Sequence, residues 1–179
     1  MRAMWSGAVS FGLVSVPVKL YSATENHDVR FHQVHGVDGG RIRYKRVCEV
    51  CGQEVEYADI VKGFETDDGE LITLDEADLE SLPAASGNRE IDVMEFVPSD
   101  QVDPLLFDKA YYLEPETKAV KPYVLLREAL RETDRMALVK VAIRSRENLA
   151  LLRVRDTVIV LQTMLWPDEV RVPEFEVLD

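Results

Sequence analysis

Apolar and polar residues alternate over much of this chain with a period of two, the signature of half-buried strands. Ala8 to Leu20 is rich in β-branched residues and reads as a strand. Val29–His35 and Arg41–Val47 read as a hairpin around Asp38-Gly39-Gly40. Glu70–Thr73 and Ile91–Val97 read as further strands, the latter stopped by Pro98. Met136–Arg144 and Leu149–Arg155 form a second hairpin across the polar break Ser145–Asn148, and Thr157–Trp166 is a strand apolar on both faces. Two segments follow a helical period instead. A short helix carries Ala77, Leu79 and Leu82, opened by the capping-box spacing of Thr73 and Glu76 and closed by Pro83. The longer one, Lys121–Leu130, has Pro122 in its first turn and one stripe of Tyr123, Leu126, Ala129 and Leu130.

Many short strands and few helices predict an α+β, β-dominated fold, a barrel or sandwich with peripheral helices. The 179 residues, 46% of them hydrophobic, predict one domain over 1–179. No apolar run approaches the ~18 residues of a membrane span and no leader pattern opens the chain, so a cytoplasmic protein without a membrane partner is expected. Two cysteines three positions apart do not make a disulfide framework.

The formal net charge is −12, but Glu56 to Asp103 alone holds 15 acidic and 2 basic residues. Acidity is local, and screening over about 10 Å lets a basic face coexist with it. Alternation puts Arg41, Arg43 and Lys45 on one face at steps of about 6.6 Å, near the spacing of successive phosphates. A basic strand also serves simply to protect a sheet edge from aggregation. In the second hairpin Lys140 and Arg144 share one parity, Arg153 and Arg155 share the other, and Arg146 falls in the turn. Such strands follow a duplex backbone without reading bases. No helix is free to read a groove, since the stripe of Lys121–Leu130 is needed for packing.

Cys48-Glu-Val-Cys51 followed by Gly52 has the form of a zinc knuckle. Knuckles work in pairs and here there is one, leaving three readings: completion by His32 and His35, completion by a second copy as an intersubunit zinc site, or no metal. Parity disfavours the histidines, because residues three apart on a strand point to opposite faces. As a redox motif the pair is poor, since no helix follows the first cysteine. No nucleophile, paired carboxylates or phosphate loop marks an active site, and no enzyme is expected.

The stretches MRAMWSGAVSFGLVSVPVKLYSA, RFHQVH, GGRIRYKRVCEVCG, EFVP, YYLEP, KPYVLLREAL and LLRVRD…LWPDEVR closely resemble bacterial Ku, across nearly the whole chain. The resemblance implies a Ku-type β-barrel core and a homodimeric ring that threads double-stranded DNA ends in non-homologous end joining. It also implies a nucleoid-associated location, a C-terminal helical arm that embraces the other subunit, and a basic tail that engages DNA and recruits the end-joining DNA ligase; a chain ending at Asp179 is expected to be truncated before both. It places Lys140, Arg144, Arg146, Arg153 and Arg155 near the DNA path, followed by Arg41, Arg43 and Lys45, with Lys19 of VPVKLYSA ranked last. The rival from another class is a zinc-dependent assembly module without a DNA role.

Overall fold

The protein is described from a computed structural model, which covers residues 1–81, 89–144, 146–175 and 177. Two compact units emerge: Met1–Glu25 with Ala84–Asp179, and Asn26–Pro83.

In the first unit, among the described residues, seven strands close into a barrel in the order β1-β2-β6-β9-β8-β7-β5. They are β1 (Trp5–Phe11), β2 (Val14–Ser22), β5 (Glu90–Pro98), β6 (Phe107–Pro115), β7 (Arg135–Ile143), β8 (Arg146–Arg155) and β9 (Val158–Met164). Neighbours are antiparallel except where β5 runs parallel to β1 and closes the sheet. The expected β-dominated fold is therefore present. Two expectations change in detail. Ala8–Leu20 is not one strand but a hairpin, with Phe11 paired to Val14 and Leu13 fully exposed at the turn. Strand β6, between β2 and β9, has no counterpart in the sequence reading; a register shift between Phe107 and Ala110 breaks its alternation.

Alternation elsewhere gives the barrel its interior. Ala137, Val139, Val141 and Ile143 of β7 are buried and pair with Leu152, Ala150, Asn148 and Arg146 of β8. Val9, Val18, Leu20, Ile91, Leu113, Ile159 and Leu161 complete this core. Helix α2 (Val120–Glu132) adds Tyr123, Leu126 and Leu130 of the predicted stripe to the same core, whereas Ala129, expected on that stripe, is exposed. The Tyr123 hydroxyl donates to the Leu113 carbonyl at 2.8 Å and accepts from the Ile159 N–H at 2.7 Å, tying β6 to β9. Burial raises the Tyr123 pKa, an effect the Ile159 N–H partly offsets.

The second unit has no buried residue among those described. Its first hairpin reduces to the isolated pair Val34–Arg41, with His35 N–H donating to Gly40 at 2.8 Å and Ile42 N–H to Gln33 at 3.0 Å. Regular strands over 29–35 and 41–47 do not form. The period of two is there, but every residue from Asn26 to Val47 is exposed, so no packed face extends the ladder. Strands β3 (Lys62–Glu65) and β4 (Leu71–Leu74) make a separate hairpin, of which the sequence reading had only the second arm. Helix α1 (Glu76–Glu80) starts two residues later than the Thr73–Glu76 box implied. Asp75 and Asp78 cap it reciprocally, each carboxylate accepting the other's N–H at 2.8 and 3.0 Å. Leu82, the expected stop at Pro83 and Ser145 lie outside the described residues.

Candidate nucleic-acid interface

Two arginines stand together where β7 passes into β8. Arg144 occupies the turn with φ +52, and Arg146 opens β8 opposite Ile143. The sequence reading had these roles reversed, with Arg144 on the strand beside Lys140 and Arg146 in the turn. A left-handed arginine ends the strand one residue early, which nothing in the side-chain pattern announces. Arg146 lies on the register of β8 that carries Ala150 and Leu152 into the core, but at the rim, where it is exposed. Neither guanidinium forms an ion pair with a described residue.

The end of β7 is held in place from inside. Trp5 Nε1 donates to the Ala142 carbonyl at 3.1 Å, two residues before Arg144. Close by, burial raises the Tyr111 pKa, and the Arg144 charge acts against that shift while Asp108 adds to it. Arg144 therefore projects positive potential at this end of the barrel.

Of the other barrel cations in the predicted set, Lys140, Arg153 and Arg155 are less free. Lys140, on the outward register between Asp92 of β5 and Leu149 of β8, pairs with Glu147 at 3.4 Å. Arg153 is half-buried, holds Gln162 at 3.4 Å, and keeps a buried Nε with no hydrogen-bond partner among the described residues. Arg155 is 3.9 Å from Asp156. Both lie toward the far end of β8, and Arg155 is roughly 30 Å along the strand from Arg146. Lys19 is half-buried on β2 opposite Ser6 and Glu114, in a polar recess with Glu116, Thr117 and Lys118. The barrel thus brings Arg144 and Arg146 together, with Lys140 along β7 from them, and leaves Arg153 and Arg155 toward the far end of β8.

In the second unit Arg41 and Arg43 are exposed without an ion pair to a described residue. Lys45 is neutralised by Glu54 at 2.6 Å. Arg46, which the sequence reading did not single out, stacks over the Tyr57 ring at 5.2 Å, a pairing that only the return of the chain reveals. This unit also holds the cysteine turn. Val47 pairs with Glu54, Cys48 N–H donates to Gln53 at 2.9 Å, Gly52 N–H returns to Cys48 at 2.8 Å, and Gly52 takes φ +67. The N–H groups of Cys51 and Val50, then the Cys51 thiol, lower the Cys48 pKa. His35 is engaged with Asp38 at 3.1 Å, and no cluster of three or more His, Cys, Asp or Glu forms among the described residues.

The described residues thus form a closed barrel with an arginine pair at one rim, and a second unit with an exposed basic segment. Residues 10–178 match the Ku family, described as the Ku70/Ku80 beta-barrel domain. The chain belongs to this family. It is 60% identical over 178 residues to "Non-homologous end joining protein Ku 2" of Saccharopolyspora erythraea, covering 99% of this chain and 58% of that protein. It is 55% identical to "Non-homologous end joining protein Ku" of Mycolicibacterium smegmatis, covering 100% of this chain and 57% of the relative. The protein of the same name in Mycobacterium tuberculosis is 54% identical, with 67% of its length covered. The chain thus spans somewhat over half the length of the first two. A zinc-dependent assembly module without a DNA role finds no support in these relatives. No described helix is long and apolar enough to cross a membrane.

Proposed function

We propose that this chain binds the ends of double-stranded DNA without regard to sequence, as a homodimer, in non-homologous end joining. Relatives covering the whole chain carry that process in their names. The observation that carries the reading is the pair Arg144 and Arg146, exposed and unpaired with any described carboxylate, at the rim of an otherwise anionic protein. Guanidiniums so placed neutralise backbone phosphates and gain affinity from released counterions. The apolar stripe of α2 is buried in the core, so it does not read a groove. Specificity for ends then comes from topology, because a ring loads only where a duplex stops.

The homodimer is supported by the second unit, which exposes Phe31, Val37, Tyr44, Val50 and Phe64 and buries nothing by itself. The chain's role is binding rather than catalysis, in the nucleoid of the cytoplasm. Comparing a linear duplex with a covalently closed circle of the same sequence tests the reading. Preference for the linear form, and retention on a linear duplex circularised after loading, are expected. Equal affinity for both forms overturns threading.

A further inference from the structure

We propose that a cleft on the outer wall of the barrel, beside α2, binds a single nucleotide, with the base stacked on Tyr21 and Tyr112 and the phosphate held by Arg155. A free nucleotide and an unpaired residue at the end of a DNA strand offer this same chemistry.

The floor of the cleft follows from register. Leu20 and Leu113 pair across β2 and β6 and enter the core, so Tyr21 and Tyr112, the next pair along, face outward. Side chains directly opposed in a ladder have Cβ atoms about 5 Å apart, which makes the two rings one aromatic surface. Val120 and Val124 of α2 and Val158 of β9 line the cleft with them, around a space of about 760 Å³. That is the size of a small-molecule site, roughly 300–1,000 Å³. An aromatic floor takes any base, because every base has a π-face.

Charge is divided between the two edges. Leu113 pairs with Ile159 and Arg155 with Val158, so Glu114 and Arg155 fall on one row across the sheet, two strands and about 10 Å apart. A nucleotide spans such a gap from its base edge to its phosphate. The Tyr21 hydroxyl donates to Glu114 Oε2 at 2.6 Å, which leaves the other carboxylate oxygen to accept a base N–H. Arg155 comes no nearer to Asp156 than 3.9 Å, longer than a hydrogen bond, so its donors remain for a phosphate. Asp156 lines the cleft too, and a phosphate would displace its carboxylate from Arg155. Arg127 takes no part, since Glu128 and the Thr157 carbonyl already hold its guanidinium at 2.6 and 2.7 Å.

The cleft lies toward the end of β8 away from Arg146, so it does not rest on threading, and its first test needs no duplex. In the amide NMR spectrum of the full chain, dAMP is expected to shift Tyr21, Tyr112 and Arg155. Deoxyadenosine, without the phosphate, and deoxyribose 5-phosphate, without the base, should each bind about tenfold more weakly. Tyr112→Leu keeps an apolar side chain but removes the ring, and should weaken dAMP about tenfold. Arg155→Gln should weaken dAMP and leave deoxyadenosine unchanged, a split that general loosening of the barrel would not give. The parent chain's titrations stand without either variant.

A duplex whose single-stranded overhang ends in 2-aminopurine separates the two sources. Fluorescence quenching that excess dAMP reverses supports the proposal with the strand end as source; dAMP binding without quenching supports it with the free nucleotide. Unmoved Tyr21 and Tyr112 amides in millimolar dAMP overturn the proposal, as do equal shifts with deoxyribose 5-phosphate. If a capped tyrosyl-glutamate dipeptide fills the cleft and dAMP does not, the surface belongs to a protein partner and the proposal falls. Binding of dAMP by a chain that shows no preference for linear duplex counts against end threading and leaves the cleft standing.

Discussion

Trp5 reaches over β5 to hydrogen-bond the backbone of Ala142, joining the first barrel strand to the last residues of β7. That bond fixes the strand end from which Arg144 projects, although Trp5 itself carries no charge.

Trp5→Phe therefore separates position from charge. It leaves the Ala142 carbonyl without its donor, a loss of about 1 kcal/mol in stability by urea titration. Duplex affinity is expected to fall modestly, with the salt dependence unchanged because no cation has been removed.

Arg144→Ala and Arg146→Ala should instead weaken binding to every duplex alike. Each removed phosphate contact should flatten the slope of log affinity against log salt by about 1. Altered sequence preference with an intact slope would contradict backbone binding. In the second unit Arg43→Ala should cost more affinity than Lys45→Ala, since the Lys45 ammonium is already held by Glu54. Equal losses would mean that DNA strips Glu54 away.

Tyr123→Phe strands two buried partners, the Leu113 carbonyl and the Ile159 N–H, and should destabilise the barrel by about 1–3 kcal/mol. The folded pKa of Tyr123 is raised above its ordinary value of 10.0. The sign follows from linkage: the neutral form's advantage is complete below 10 and is lost as pH climbs from there through the higher folded value. Urea midpoints measured from pH 8 upward should fall more steeply above 10 in the parent chain than in Tyr123→Phe.

Gly7→Ala tests the closure of the barrel. A Cβ there would stand 2.1 Å from the Arg89 carbonyl oxygen, which accepts the Ala8 N–H at 3.0 Å. Backbone cannot yield as a side-chain tip does, so a loss of about 3 kcal/mol or more is expected, with faster amide exchange at Ala8 than at strands remote from β1 and β5.

The buried half of this molecule was the legible half. The strands of the second barrel hairpin and the stripe of α2 show in the sequence because burial on one face imposes a period. Strand β6 did not show, because its irregular pairing near Phe107 removes the period where it would begin. The hairpin at 29–47 was over-read for the opposite reason: alternation without a packed face does not make a ladder. At the site, the residue types were legible and their arrangement was not. Arg144 and Arg146 are two letters apart, and only the positive φ of Arg144 decides which one leaves the strand.

Seven strands closed into a barrel leave little margin for a peptide to extend, and what remains lies at the seam, where β1 and β5 pair only over Ala8–Ser10 and Glu90–Asp92. Beyond it β5 has a strand partner on its β7 side alone among the described residues. The β3–β4 hairpin, a ribbon of two strands, keeps open margins along its length. A protein that docks by extending a sheet would find such a margin between Lys62 and Leu74.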